Sequence, residues 1–93
     1  MQFLVVATDS TDSDARARRL RTRPEHSALI AKLKDAGNFR VGGHTLDDDG
    51  NIIGSAVIVD FATRAELDAY LAMEPYAVQR VWDDIKVTRI NLG

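Results

Sequence analysis

Two stretches of this sequence are apolar on both faces, and 93 residues are too few to cover both. In the first, Phe3 and Val5 lie on one side of an extended strand, while Leu4 and Val6 lie on the other. In the second, Ile53, Val57 and Val59 oppose Ile52, Ala56 and Ile58. A sheet covered on one side alternates apolar and polar residues, and these strands do not. A chain this short, read as a single domain over residues 1–93, builds only a modest core. The second face is therefore expected to find its cover in another copy of the chain, as a homodimer with its two sheets packed face to face, the alternative being an apolar face left partly wet by β-propensity alone.

The rest of the chain fits around those strands. Gln2–Thr8 reads as the first strand, and the run Asp9-Ser10-Thr11-Asp12-Ser13-Asp14 as a turn that ends it. A short arginine-rich helix is expected over Ala15–Arg21. A second helix is expected to start at Thr22-Arg23-Pro24-Glu25, a capping box with proline in its first turn, and to stop at Gly37. Phe39–Leu46 reads as a strand, Asp47-Asp48-Asp49-Gly50-Asn51 as a hairpin turn and Ile52–Phe61 as a third strand. Thr63-Arg64-Ala65-Glu66 caps another helix, Pro75 ends it, and one or two further turns are expected over Tyr76–Trp82. Ile85–Leu92 closes the set. The order βαββαβ predicts an α+β, ferredoxin-like antiparallel sheet with helices on one face.

Composition narrows the chemistry. The absence of cysteine excludes disulfides, thiolate catalysis and cysteine-zinc sites. Twelve Lys and Arg against fourteen Asp and Glu leave a net charge of −2, against the basic excess of a nucleic-acid binder. No apolar run reaches the length of a membrane helix, and the N-terminus lacks the charged and apolar regions of a signal peptide. A cytoplasmic chain with neither a nucleic-acid nor a membrane partner is expected. Asp47, Asp49 and Asn51 imitate a calcium loop, but the glycine is misplaced and Ile58 stands where the bidentate glutamate belongs. No metal site and no cofactor is expected.

His26 is the most informative candidate. It precedes Leu29 and Ile30 by three and four residues and so shares the inward stripe of its helix. The start of that helix lies at the same end of the sheet as Asp9, so Asp9 can orient the ring and leave a nitrogen free for proton transfer. Spacing alone equally allows a structural histidine bonded to a backbone carbonyl, with Asp9 merely a cap. His44 reads as a solvated strand residue, since no partner at ligand spacing exists. Gly42 and Gly43 mark either a bulge or the floor of a pocket. The five arginines between Arg16 and Arg23 spread around the helix and read first as a solvated face; the alternative is that one of them, best placed at Arg23, attracts an anionic group.

Several segments together resemble the YciI-like, or YCII-related, family. Arg23-Pro24-Glu25-His26 is similar to its Arg-Pro-x-His signature, and Asp9 follows the first strand as in the family. Gly42-Gly43 lies near its small Ala-Gly step, and Gly54-Ser55 followed by Ala56–Phe61 resembles its third strand. Glu74-Pro75-Tyr76 resembles its Asp-Pro-Tyr, with Glu74 for the usual aspartate, and Gly43-His44 departs from a common Gly-Pro. The resemblance implies a dimeric α+β barrel of ferredoxin-like subunits, with a pocket holding a His–Asp pair and Ser55 nearby. Some relatives remove HCl from chlorinated rings.

On that basis His26 and Asp9 are the expected catalytic dyad of a cofactor-independent proton transfer of isomerase, lyase or dehydrochlorinase type. Ser55, Arg23, Gly42, Gly43, Pro75 and Tyr76 are the expected contacts to a small anionic or cyclic ligand, with Ser55 and backbone N–H groups holding an oxyanion and Tyr76 placing its phenol at the mouth. The alternative is a non-catalytic module that binds or senses a small metabolite.

Overall fold

The computed structural model describes residues 1–93. The chain runs through β1 (Gln2–Asp9), α1 (Ala15–Asp35), β2 (Phe39–Leu46), β3 (Ile52–Asp60), α2 (Arg64–Met73), the short α3 (Pro75–Val78) and β4 (Trp82–Ile90). The strands form one antiparallel sheet in the order β2-β3-β1-β4, the ferredoxin-like arrangement expected from the sequence. No helix is long and apolar enough to cross a membrane.

The strand periodicity sets the core. Phe3, Val5 and Ala7 of β1 and Val57 and Val59 of β3 point to one side and are buried. There they meet Leu67 and Tyr70 of α2, with Leu29 and Leu33 of α1 packed alongside. Around Ala7 a second cluster joins Tyr76, Val81 and Trp82. The opposite side carries the intervening residues. Across the sheet, Val41, Ile58, Leu4 and Thr88 form one row, and Gly43, Ala56, Val6 and Lys86 the next. The first three members of each row are apolar or glycine, and Val41 is 57% exposed. Both faces of the central strands are thus apolar, and the helices cover only one.

The turns follow their local chemistry. The Thr63 hydroxyl accepts from the Glu66 N–H at 3.2 Å, while the Glu66 carboxylate reaches back to the Ala62 N–H. Gly37 and Gly50 take positive φ, as a helix stop and a tight hairpin require. The Asp47 carboxylate accepts from the N–H groups of Asp49 and Asn51, so this acidic segment is a turn.

The helical region between β1 and β2 differs from expectation. The two helices expected on either side of Thr22 are one, the 21-residue α1. Thr22 is not a cap; it is buried within the helix, and Pro24 lies in the interior. The reason is an inward stripe at Arg19, Thr22, His26, Leu29 and Leu33, spaced by three and four residues without a break. Its first two members are polar, which hides the stripe from an apolar count. Burial along that face offsets the roughly 3 kcal/mol that an interior proline costs. The final strand also starts earlier than expected, at Trp82, because its ladder to β1 continues through a bulge to pair Trp82 with Asp9.

Candidate active site

His26 projects from the inward stripe of α1 toward the junction of α2 and α3. The carboxylate it meets is Glu74, whose Oε1 lies 2.6 Å from His26 Nδ1. The expected pairing with Asp9 is therefore not the one the structure makes. Glu74 caps α3: its Oε1 also accepts from the Tyr76 N–H at 3.2 Å, and Pro75 begins the helical turn directly after it. Its Oε2 accepts from the Tyr70 hydroxyl at 2.9 Å. A fully buried carboxylate is tolerated only when donors satisfy it, and Glu74, at 0% exposure, has three. Burial and then the adjacent Glu74 push the Tyr70 hydroxyl far above its usual range, so Tyr70 stays a donor.

A carboxylate oxygen accepts, so in the neutral ring His26 Nδ1 carries the hydrogen and Nε2 the lone pair. Nε2 has no hydrogen-bond partner within the chain, and the ring is 18% exposed. Tyr76 stacks on the imidazole with centroids 3.9 Å apart and planes 6° from parallel, and Trp82 meets it edge-on. The phenol expected at the pocket mouth is instead buried, and it serves as the back wall of the imidazole. Its hydroxyl has no partner. Burial raises the Tyr76 pKa against the opposing pull of the Arg19 guanidinium, which lies 4.7 Å above the ring.

Asp9 belongs to a second cluster. Arg19, buried on α1, grips it with two bonds, Nε to Oδ2 at 2.7 Å and Nη2 to Oδ1 at 3.1 Å. The same Nη2 reaches the Gly54 carbonyl and the Ser55 hydroxyl at 3.2 and 3.0 Å. Ser55 Oγ also accepts from Trp82 Nε1 at 3.3 Å. With two donors already aimed at its oxygen, Ser55 retains only its own hydrogen to give. Arg19 Nη1 lies 3.3 Å from His44 Nδ1. Partial desolvation, then Arg19, Arg23 and His26, hold the His44 pKa below its usual value against the opposite effect of Asp9.

His26, Ser55, Gly42, Gly43 and His44 line one cleft of about 170 Å³, with Lys34 at its rim. Of the expected contact residues, Ser55, Gly42 and Gly43 thus come together around His26. Gly42 is a close approach, since a Cβ there lies 2.6 Å from Val57 Cγ1. Arg23 is exposed on the α1 surface outside that lining, and Pro75 acts one step back by starting α3. Asp9 lines a different recess, beside Arg19.

Sequence reasoning missed three participants. Arg19 was hidden in an arginine run that looked solvated, and its seven-residue, two-turn spacing to His26 was the available signal. Glu74 had a signal too, as a carboxylate directly before a helix-starting proline. His44 had none, because its partner lies 25 residues away.

Known proteins share this sequence pattern and this fold. The sequence model of the YCII-related domain matches residues 1–91. Protein YciI of Escherichia coli is 29% identical over 93 residues, covering 94% of this chain and 93% of that one. Among solved structures, the 5-chloro-2-hydroxyhydroquinone dehydrochlorinase of Burkholderia phenoliruptrix, in complex with 2,5-dihydroxybenzoquinone, superposes with a TM-score of 0.83. It is 24% identical, with 100% of this chain and 96% of that chain covered. A dimeric ferredoxin-like protein of Jannaschia superposes at 0.55 with 16% identity and 98% of each chain covered.

Proposed function

Because the chain belongs to the YCII-related family, we propose that it is a small-molecule enzyme that moves a proton without a cofactor, with His26 as the base. The observation that carries this reading is the 2.6 Å contact from His26 Nδ1 to Glu74, which leaves Nε2 unpartnered on a residue that lines the cleft. Nε2 takes a proton from a carbon beside a carbonyl or within an activated ring. The bond pair moves toward the carbonyl oxygen, and Glu74 stabilises the imidazolium. The proton then returns to another atom, or a leaving group such as chloride departs. Glu74 acts as the orienting carboxylate here, and Asp9 acts on Arg19.

Oxygen charge that develops in the cleft is met by the Ser55 hydroxyl and by a backbone N–H of the Gly42-Gly43 step. This step lies on β2, an edge strand whose alternate N–H groups face away from the sheet. Lys34 at the rim and Arg23 on the same helix favour an anionic substrate. The volume suits a single ring, as a cavity of about 150 Å³ holds benzene. A cyclic ligand is also what the superposed dehydrochlorinase holds.

The same reading makes the functional unit a homodimer. Two copies pair through the rows Val41–Ile58–Leu4 and Gly43–Ala56–Val6, which the chain's own helices leave bare.

The test is a screen of cyclic enols, lactones and chlorinated quinols, read by mass spectrometry. Turnover is expected in the wild type, and Glu74→Gln is expected to lower kcat by about 10²–10⁴-fold, because its amide can donate to Nδ1 and favour the wrong tautomer. A ligand retained without any turnover marks a binding module and overturns the enzymatic reading.

A further inference from the structure

Two imidazoles line the cleft, and their neighbours fix them in opposite states. Glu74 accepts from His26 Nδ1, so a neutral His26 presents a lone pair at Nε2. Arg19 can only donate to His44 Nδ1, because a guanidinium has no acceptor and does not lose its proton. A neutral His44 must therefore carry its hydrogen on Nε2. That nitrogen points away from Arg19 and has no hydrogen bond within the chain. The contacts that set these states measure 2.6 Å for His26 and 3.3 Å for His44.

Building on the proposed role of His26, we infer that His44 is the electrophile of the cleft: its neutral Nε2–H donates to the substrate oxygen that gains charge. The proton taken by His26 leaves a carbon, the electron pair shifts toward that oxygen, and His44 stabilises it with a hydrogen bond while keeping its own proton. The charged and titratable groups facing His44 favour this state. Arg19, Arg23 and His26 approach from α1 and Asp9 from β1; the two arginines, and His26 once it has taken a proton, disfavour a charged ring. Asp9 opposes them, but both its oxygens are already gripped by Arg19. The substrate class follows: a small cyclic enolate or enediolate, whose oxygen accepts from a neutral donor in a cleft rimmed by Lys34.

Squarate, a four-membered cyclic enediolate, is the probe. The wild type is expected to bind it, with the His44 Nε2–H proton resonance moving downfield. His44→Phe is expected to bind at least about tenfold more weakly, the usual effect of losing a hydrogen bond to a charged acceptor. His44→Gln, whose amide nitrogen falls near the position of Nε2, is expected to recover much of that loss. His26→Ala removes the base and leaves the donor, so it is expected to retain squarate. The two roles can therefore fail separately: turnover that survives His26→Ala sinks the base, whereas squarate binding unchanged in His44→Phe sinks the donor. A wild type that binds no squarate also overturns the inference.

Discussion

Two tyrosines contact the same glutamate assembly and have opposite hydrogen-bonding fates. Tyr70 donates to Glu74, and replacing it with phenylalanine leaves a buried carboxylate oxygen without a partner. Tyr70→Phe is expected to cost about 1–3 kcal/mol of stability in urea denaturation. The Tyr76 hydroxyl has no partner to lose. Tyr76→Phe is therefore expected to be neutral or to stabilise by up to about 1 kcal/mol in the same measurement, and a loss comparable to that of Tyr70→Phe would show a hidden bond. His44 gives a pH-dependent prediction. Its folded pKa lies below its usual value of 6.5, so between the two the unfolded chain binds more protons. Its contribution to stability is full above 6.5 and declines as pH falls from there toward the folded pKa. The stability difference between wild type and His44→Gln is expected to shrink over that window, as followed by thermal melts across pH. A difference that grows on acidification contradicts the assigned neutral state.

The helix α1 carries most of the site, and its continuity is testable through Pro24. A proline at a helix start is harmless, whereas one in the interior is not. Pro24→Ala is expected to stabilise the chain by about 1–2 kcal/mol, the helix gain less the freedom restored to the unfolded state. A destabilised Pro24→Ala would favour two helices. The strand order, the hairpin at Gly50 and the cap at Thr63 were legible because each rests on residues adjacent in sequence. The path of α1 was not, because the stripe that continues it through Pro24 begins with Arg19 and Thr22, polar residues buried by partners distant in sequence. The site was half legible for the same reason. His26 and the glycines were found from their local settings and Ser55 through the family resemblance, but the carboxylate that faces His26 lies 48 residues away and competes with a nearer-looking Asp9. Only the packing of α3 against α1 decides between them.

For the whole molecule, the two-sided apolar strands predict association. Light scattering is expected to give twice the 10.3 kDa chain mass at micromolar concentration. Ile58→Lys, placing a charge in the middle of the bare face, is expected to return the monomer with its helix-covered core intact. The proposed chemistry belongs to this scale as well, since β1, β3, α1 and α3 together position the cleft around His26. The most direct measurement of that is deuterium uptake from D2O into the acidic carbon of a substrate identified by the screen, followed by mass spectrometry. Wild-type protein is predicted to exchange that carbon about 10²–10⁴-fold faster than His26→Ala, the range of a positioned general base. Equal uptake by the two proteins would contradict the assignment of His26 as the base.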